Sequence, residues 1–186
     1  IEGDYLEFRL RRYLTFAEFK SELAPHFGLG LEGYATWTSP IRKYSDMVNH
    51  RLIKAVLTQQ ACEKPQDEVL ARLQEARRQN RLVERDIADW LYCRYLADKV
   101  AENAEFDAEV QDVMRGGLRV QLLENGASMF VPASTLHPNK DEMQVNADEL
   151  ALYIQGERRY KIGDLVKVKL TEVREETRSI IGQLII

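Results

Sequence analysis

The spacing of apolar residues changes once along the chain. Up to about residue 100 it follows a helical period; after Asn103 it alternates. Thr15 and Glu18 form a Thr-x-x-Glu capping box, which predicts a short helix through about Leu23, stopped by Pro25. Residues 26–33 hold three glycines and read as loop, and the aromatic and β-branched run 34–38 reads as a short strand. Ser39-Pro40 places a cap and a first-turn proline at the head of a helix to about Leu57, striped by Ile41, Tyr44, Val48, Leu52 and Ala55. After Pro65 a long helix is predicted over 66–99, with Val69, Leu73, Ala76, Val83, Ile87, Leu91 and Tyr95 on one stripe. Two or three helices cannot cover that stripe. The stripe and the start at Ile1 rather than Met lead to the expectation that residues 1–100 belong to a larger domain that is missing from this chain.

Beyond Asn103, strands are expected at 106–114, 118–124, 128–131, 150–154, 165–173 and 179–185. Gly116-Gly117 and Asn125-Gly126 supply hairpin turns, and residues 137–147 read as a polar loop. Five or so short strands in about 80 residues suggest a small closed barrel of the OB type. The fold class is therefore α+β: a mostly helical segment, residues 1–102, followed by a five-stranded antiparallel OB-fold barrel, residues 103–186.

Composition narrows the function little. The 186 residues carry 26 Lys and Arg against 30 Asp and Glu, a net charge of -4, so any nucleic-acid contact must come from local patches. Cys62 and Cys93 make no zinc or redox motif; two reduced thiols in a cytoplasmic protein are expected rather than a disulfide. No apolar run approaches a bilayer span, so no membrane partner is expected.

Two segments could carry chemistry. The run Thr38-Ser39-Pro40-Ile41-Arg42-Lys43-Tyr44 sets a guanidinium and an ammonium at a helix start, where unpaired amides and the helix dipole suit a phosphate. An Arg42–Asp46 ion pair at i,i+4 is the competing reading. On the long helix, Arg72, Arg77, Arg78, Arg81, Arg85 and Arg94 alternate with Glu75, Glu84, Asp86 and Asp89. Such a face can track a phosphate backbone, or it is only solvated helix, with Glu84 in an ordinary ion pair. Arg9, Arg11 and Arg12 form a further basic cluster. No carboxylate cluster suits a metal, and His26, His50 and His137 are scattered, so no self-sufficient active site is expected here.

The run from Gly28 through Tyr34-Ala35-Thr36-Trp37-Thr38-Ser39-Pro40-Ile41-Arg42 to Asp46 and His50-Arg51 closely resembles the bacterial ribonuclease II family. Residues 77–91 and 175–181 fit the same family. The resemblance implies the end of an RNB catalytic domain followed by an RNA-binding barrel of the ribosomal-protein S1 type. It implies a processive, magnesium-dependent 3′-to-5′ exoribonuclease acting on single-stranded RNA and releasing nucleoside 5′-monophosphates. Arg42 and Glu84 would then be catalytic-site residues, the first on the phosphate near the scissile bond, the second near the 3′ nucleotide. The magnesium-binding aspartates would lie upstream, leaving this chain alone inactive.

The barrel departs from the S1 pattern. Positions that carry aromatics and a histidine in typical members fall at Gly116, Arg119 and Pro132. Ser39, Lys43, Arg115, Arg119, Phe130, Lys167, Lys169 and Arg178 are the expected RNA contacts. From Asn103 onward there are 10 basic and 14 acidic residues, so the isolated barrel should bind weakly and with salt sensitivity. A non-catalytic RNA-binding or interaction module, and a purely structural oligomerisation module, are the competing readings. The expected partners are single-stranded RNA, the upstream part of the same protein and, through the uncovered helix stripe, a second copy.

Overall fold

A computed structural model of the chain describes Leu10 and residues 13–185. They form two compact units, residues 15–83 and residues 84–185 (the latter with Leu10, Tyr13 and Leu14).

In the first unit the short helix expected at residues 15–23 is absent. Nine residues are too few to repay helix nucleation without a packed face. The segment instead lies on the long helix α2 (Asp67–Ala97). Arg77 and Arg81 sit over the Phe19 and Phe16 rings at 5.6 and 5.8 Å, and Gln74 and Arg77 donate to the Ala17 carbonyl at 3.3 Å. The strand expected at 34–38 does not form either. Its carbonyls are taken by side chains of α1 (Tyr44–Leu57): Asn49 Nδ2 donates to Thr36 O at 2.7 Å, and His50 Nε2 lies 2.7 Å from Trp37 O. With those groups satisfied no ladder is needed. Helix α1 starts four residues later than expected, at Tyr44 rather than at Pro40.

The second unit holds the end of α2, a 3-10 turn (Asp98–Val100) and eight strands. β1 (Glu105–Met114), β2 (Gly117–Leu122), β3 (Ser128–Pro132), β7 (Leu165–Arg174) and β8 (Ser179–Leu184) close into a barrel in the order β1-β2-β3-β8-β7. The strands expected at 106–114, 118–124, 128–131, 165–173 and 179–185 correspond to these. The barrel is mixed, not antiparallel throughout: β3 and β8 run parallel, with Phe130 opposite Ile181. That pairing closes the ring and removes the open edges. Bulges at Val110/Asp112 and Leu170/Glu172 bend β1 and β7 for the closure. At the second, the Thr171 hydroxyl donates to the Ile181 carbonyl at 3.0 Å.

A second, three-stranded sheet takes its first strand from the stretch read as polar loop and its middle strand from the segment expected as a strand at 150–154. β4 (Met143–Asn146), β5 (Ala151–Ile154) and β6 (Glu157–Lys161) pair in that order, after a short helix α3 (Ala133–Leu136). Only β5 buries most of its residues, which is why its flanking partners gave no apolar signal.

Barrel residues alternate in and out, and Leu118, Val120, Leu122, Met129, Val131 and Val168 are fully buried. Cys93 and Leu96 of α2 are also fully buried in this cluster, with Tyr92 packed against it. Burying Leu96 contributes roughly 1.5–3 kcal/mol. Tyr92 Oη donates to Asn125 O at 2.9 Å, and Arg178 meets Asp86 at 2.6 Å, so α2 is tied to two hairpin turns. The helix thus carries two apolar faces. Of the stripe read from the sequence, Val83, Ile87, Leu91 and Tyr95 are exposed, whereas Val69 and Leu73 are half-buried. Both cysteines are free thiols, Cys62 exposed and Cys93 buried.

Gly182 of β8 leaves no room for a side chain inside the barrel. A Cβ there would stand 2.3 Å from Met129 Sδ and 2.8 Å from the Lys169 carbonyl oxygen. Gly182→Ala should therefore destabilise the barrel by about 1–3 kcal/mol in urea unfolding. An unchanged midpoint would show that the barrel wall yields without cost.

Candidate nucleic-acid interface

The turn that carries Arg42 is built around a buried acid. Ser39 O accepts the amides of Arg42 (3.3 Å) and Lys43 (2.9 Å), which turns the chain just before α1. Asp46, in the first turn of α1, has no exposed surface. Its carboxylate accepts the Thr36 hydroxyl at 2.5 Å, the Ser39 amide at 2.9 Å and the Ser45 hydroxyl at 3.3 Å, and Lys43 Nζ lies 3.6 Å away. Burial by itself would raise the Asp46 pKa. The Thr36 hydroxyl, the Ser39 amide, the Lys43 charge and the Ser45 hydroxyl outweigh it and hold the carboxyl below its ordinary value.

Ser39 and Lys43, expected as phosphate contacts, are thus engaged with Asp46. Arg42 is not: it is exposed, and the i,i+4 ion pair with Asp46 does not form. Among the described residues Arg42 has no ion-pair partner. Its five donors are presented from a held turn rather than from the helix N-terminus that Ser39-Pro40 suggested. The role of Asp46, Asn49 and His50 was missed in the sequence. The available signal was an acid in the first turn of a helix with Thr and Ser shortly upstream, which is common and unspecific.

The arginine face of α2 is largely occupied. Arg77 and Arg81 cover phenylalanines, Arg78 pairs with Glu75 at 2.9 Å, and Arg94 lies 5.1 Å over Trp90. Two hydrogen bonds from Arg78 and one from Gln79 lower the Glu75 pKa to about 2. Glu84 is exposed, and among the described residues it makes no ion pair. The Arg9, Arg11 and Arg12 cluster lies outside the described residues.

The barrel candidates do not form one surface. Arg119 and Phe130 are cross-strand neighbours on β2 and β3, with Asp112 on the other side of Arg119 and Ile181 beyond Phe130. Phe130 is half-buried, and its Cζ lies close to where a Cβ on Gly116 would stand. Arg115 is exposed in the β1–β2 turn. Lys167 and Lys169, on β7, stand opposite Asp107 and Glu105, and Lys167 Nζ is 3.7 Å from Asp107. Arg178 is held by Asp86. The arrangement offers one stacking ring beside one guanidinium, with the remaining cations partly neutralised.

Among the described residues no group of three or more His, Cys, Asp or Glu could hold a metal ion, and no helix is long and apolar enough to cross a membrane. Residues 2–59 match the RNB domain family and residues 99–184 the S1 RNA binding domain family. The first match covers the Arg42 turn and the second the barrel. An exoribonuclease 2 of Haemophilus influenzae is 86% identical over 185 residues, which is 100% of this chain and 28% of that protein. An exoribonuclease 2 of Mannheimia succiniciproducens is 83% identical with the same coverage. Among solved structures, Mycoplasma genitalium RNase R in complex with ribose methylated single-stranded RNA matches 95% of this chain and 28% of its own, with a TM-score of 0.75 and 24% identity. The chain therefore spans little more than a quarter of the curated relatives that it matches.

The lowered Asp46 pKa makes the first unit acid-sensitive. A depressed folded pKa adds stability above the unfolded value, and that stability is lost as the pH falls through the folded value. As the pH falls through the ordinary carboxylate value of 3.8 and below it, the urea midpoint followed by Trp37 fluorescence in a Trp90→Phe background should fall. Asp46→Asn should reduce that fall, leaving the part that Glu75 contributes. An equal fall in the variant would place the acid sensitivity elsewhere.

Proposed function

We propose that this chain is the C-terminal segment of a processive, hydrolytic exoribonuclease. The whole enzyme degrades single-stranded RNA from the 3′ end and releases nucleoside 5′-monophosphates. One observation carries the reading: identity of 86% to an exoribonuclease 2 runs across the entire chain, through both the Arg42 turn and the barrel. Residues 1–102 are then the end of the RNB catalytic domain, and residues 103–186 are the S1-type RNA-binding domain.

In this reading Arg42 grips the phosphate near the scissile bond, because an exposed, uncommitted guanidinium can meet two phosphate oxygens at once. Glu84, exposed and unpaired among the described residues, lies near the 3′ nucleotide and tunes how the product end is held. Ser39 and Lys43 act with Asp46 in shaping the Arg42 turn. Arg115, Arg119 and Phe130 contact the RNA strand, and Lys167, Lys169 and Arg178 add long-range attraction only. Magnesium supplies metal-ion catalysis to the whole enzyme, and we place its ligands outside this chain. The setting is the cytoplasm, and the immediate partner is the upstream part of the same protein.

A labelled oligo(A) incubated with this chain and magnesium tests the reading. Binding without degradation is expected, with affinity falling steeply as salt rises and weakening several-fold in Arg42→Ala. Rapid release of mononucleotides would mean that the metal ligands lie within these residues. Binding that ignores both salt and Arg42→Ala would favour a non-catalytic module that reads RNA by other means.

The isolated chain should also self-associate, because Ile87, Leu91 and Tyr95 expose about half of their surface on one helix face. Sedimentation at rising concentration checks this, and a strictly monomeric profile would contradict it.

A further inference from the structure

We infer that Asp46 is a positioning residue for Arg42, holding the turn from which the guanidinium is presented. The inference rests on the proposed phosphate role of Arg42 and goes beyond it by naming what aims that side chain. An ordinary acid in the first turn of a helix stays near the helix amides and faces solvent. Asp46 does neither. It is fully buried, and its two strongest bonds reach back across the turn, to the Thr36 hydroxyl ten residues upstream and the Ser39 amide seven residues upstream.

Asp46 also works with its helix neighbours. Residues 46, 49 and 50 stand at i, i+3 and i+4, and so share one face of α1. Asp46 takes donors from the segment 36–39, while Asn49 and His50 engage the carbonyls of Thr36 and Trp37. Both directions of backbone polarity are thereby held. The Ser39 carbonyl then fixes the amides of Arg42 and Lys43. The chain of contacts runs from the Asp46 carboxylate through Ser39 to the Arg42 backbone. Lys43 closes it by placing its charge 3.6 Å from the same carboxylate. An asparagine at position 46 would keep the shape but lose one accepting oxygen and the charge that faces Lys43. The turn would loosen while the Arg42 side chain remained present.

A double-mutant cycle tests this in a full-length exoribonuclease 2 carrying this chain in place of its own matching segment. Single-turnover cleavage of oligo(A) and its Kd are read for wild type, Asp46→Asn, Arg42→Ala and the double variant. Asp46→Asn should slow cleavage by about 10-fold or more while changing the oligo(A) Kd by less than about 3-fold. In the Arg42→Ala background the same substitution should change the rate hardly at all, because the group that it positions is gone. Multiplying effects would overturn the inference and make Asp46 a general stability residue. A wild-type rate in Arg42→Ala would sink the phosphate role of Arg42 itself, and the inference with it. Should Asp46→Asn fail to fold, Thr36→Val removes one donor at nearly constant shape, and the same cycle with Arg42→Ala decides.

Discussion

Asp46 has no solvent-exposed surface, and a carboxylate removed from water must be given donors. The desolvation of such a group costs several kcal/mol, and partners with good geometry are what offset it. The local structure of the first unit follows from that requirement. Thr36 and Ser39 are drawn toward α1, the chain turns at Pro40, and the helix begins at Tyr44. The same constraint leaves Arg42 outside: with Lys43 beside the buried charge, the guanidinium is left to the solvent side of the turn.

In the barrel the corresponding requirement is the pairing of strand edges. β3 and β8 meet in parallel at Phe130 and Ile181, so the ladder closes on itself. Two bulges and the bare backbone of Gly182 supply the curvature. The interior then takes Leu96 and Cys93 from α2 as part of its filling. The 31-residue helix α2 contributes to this core at its C-terminal end and carries the Phe16 and Phe19 contacts nearer its middle.

The basic residues show how tertiary contacts divide one residue type between tasks. Arg77, Arg81 and Arg94 spend their planar faces on aromatic rings, Arg78 on an acid, and Arg178 on Asp86. Among the described residues Arg42 and Arg119 keep theirs available. Counting cations along the sequence treats all of these alike, which is why the long helix could be read either as a phosphate track or as a solvated face. For RNA, the distinction between a committed and an uncommitted guanidinium matters more than the net charge of -4.

By itself the sequence determined the architecture wherever a pattern was both local and repeated. Alternation after Asn103, with Gly117 and Gly126 at their turns, is enough to place the barrel strands, because each position faces either the core or water. The Thr36-to-Asp46 run was distinctive enough to point to a family without any contact being known. What only the tertiary structure decided was the fate of groups whose partners lie far along the chain. The helix at 15–23 yielded to arginines some 60 residues away, and the strand at 34–38 to side chains of α1. The parallel closure joins strands about 50 residues apart, and β4 and β6 each pair with β5 through backbone bonds that leave no apolar signature. Periodicity records which way a side chain faces, whereas the choice of a hydrogen-bonding partner depends on what the fold brings within about 3 Å.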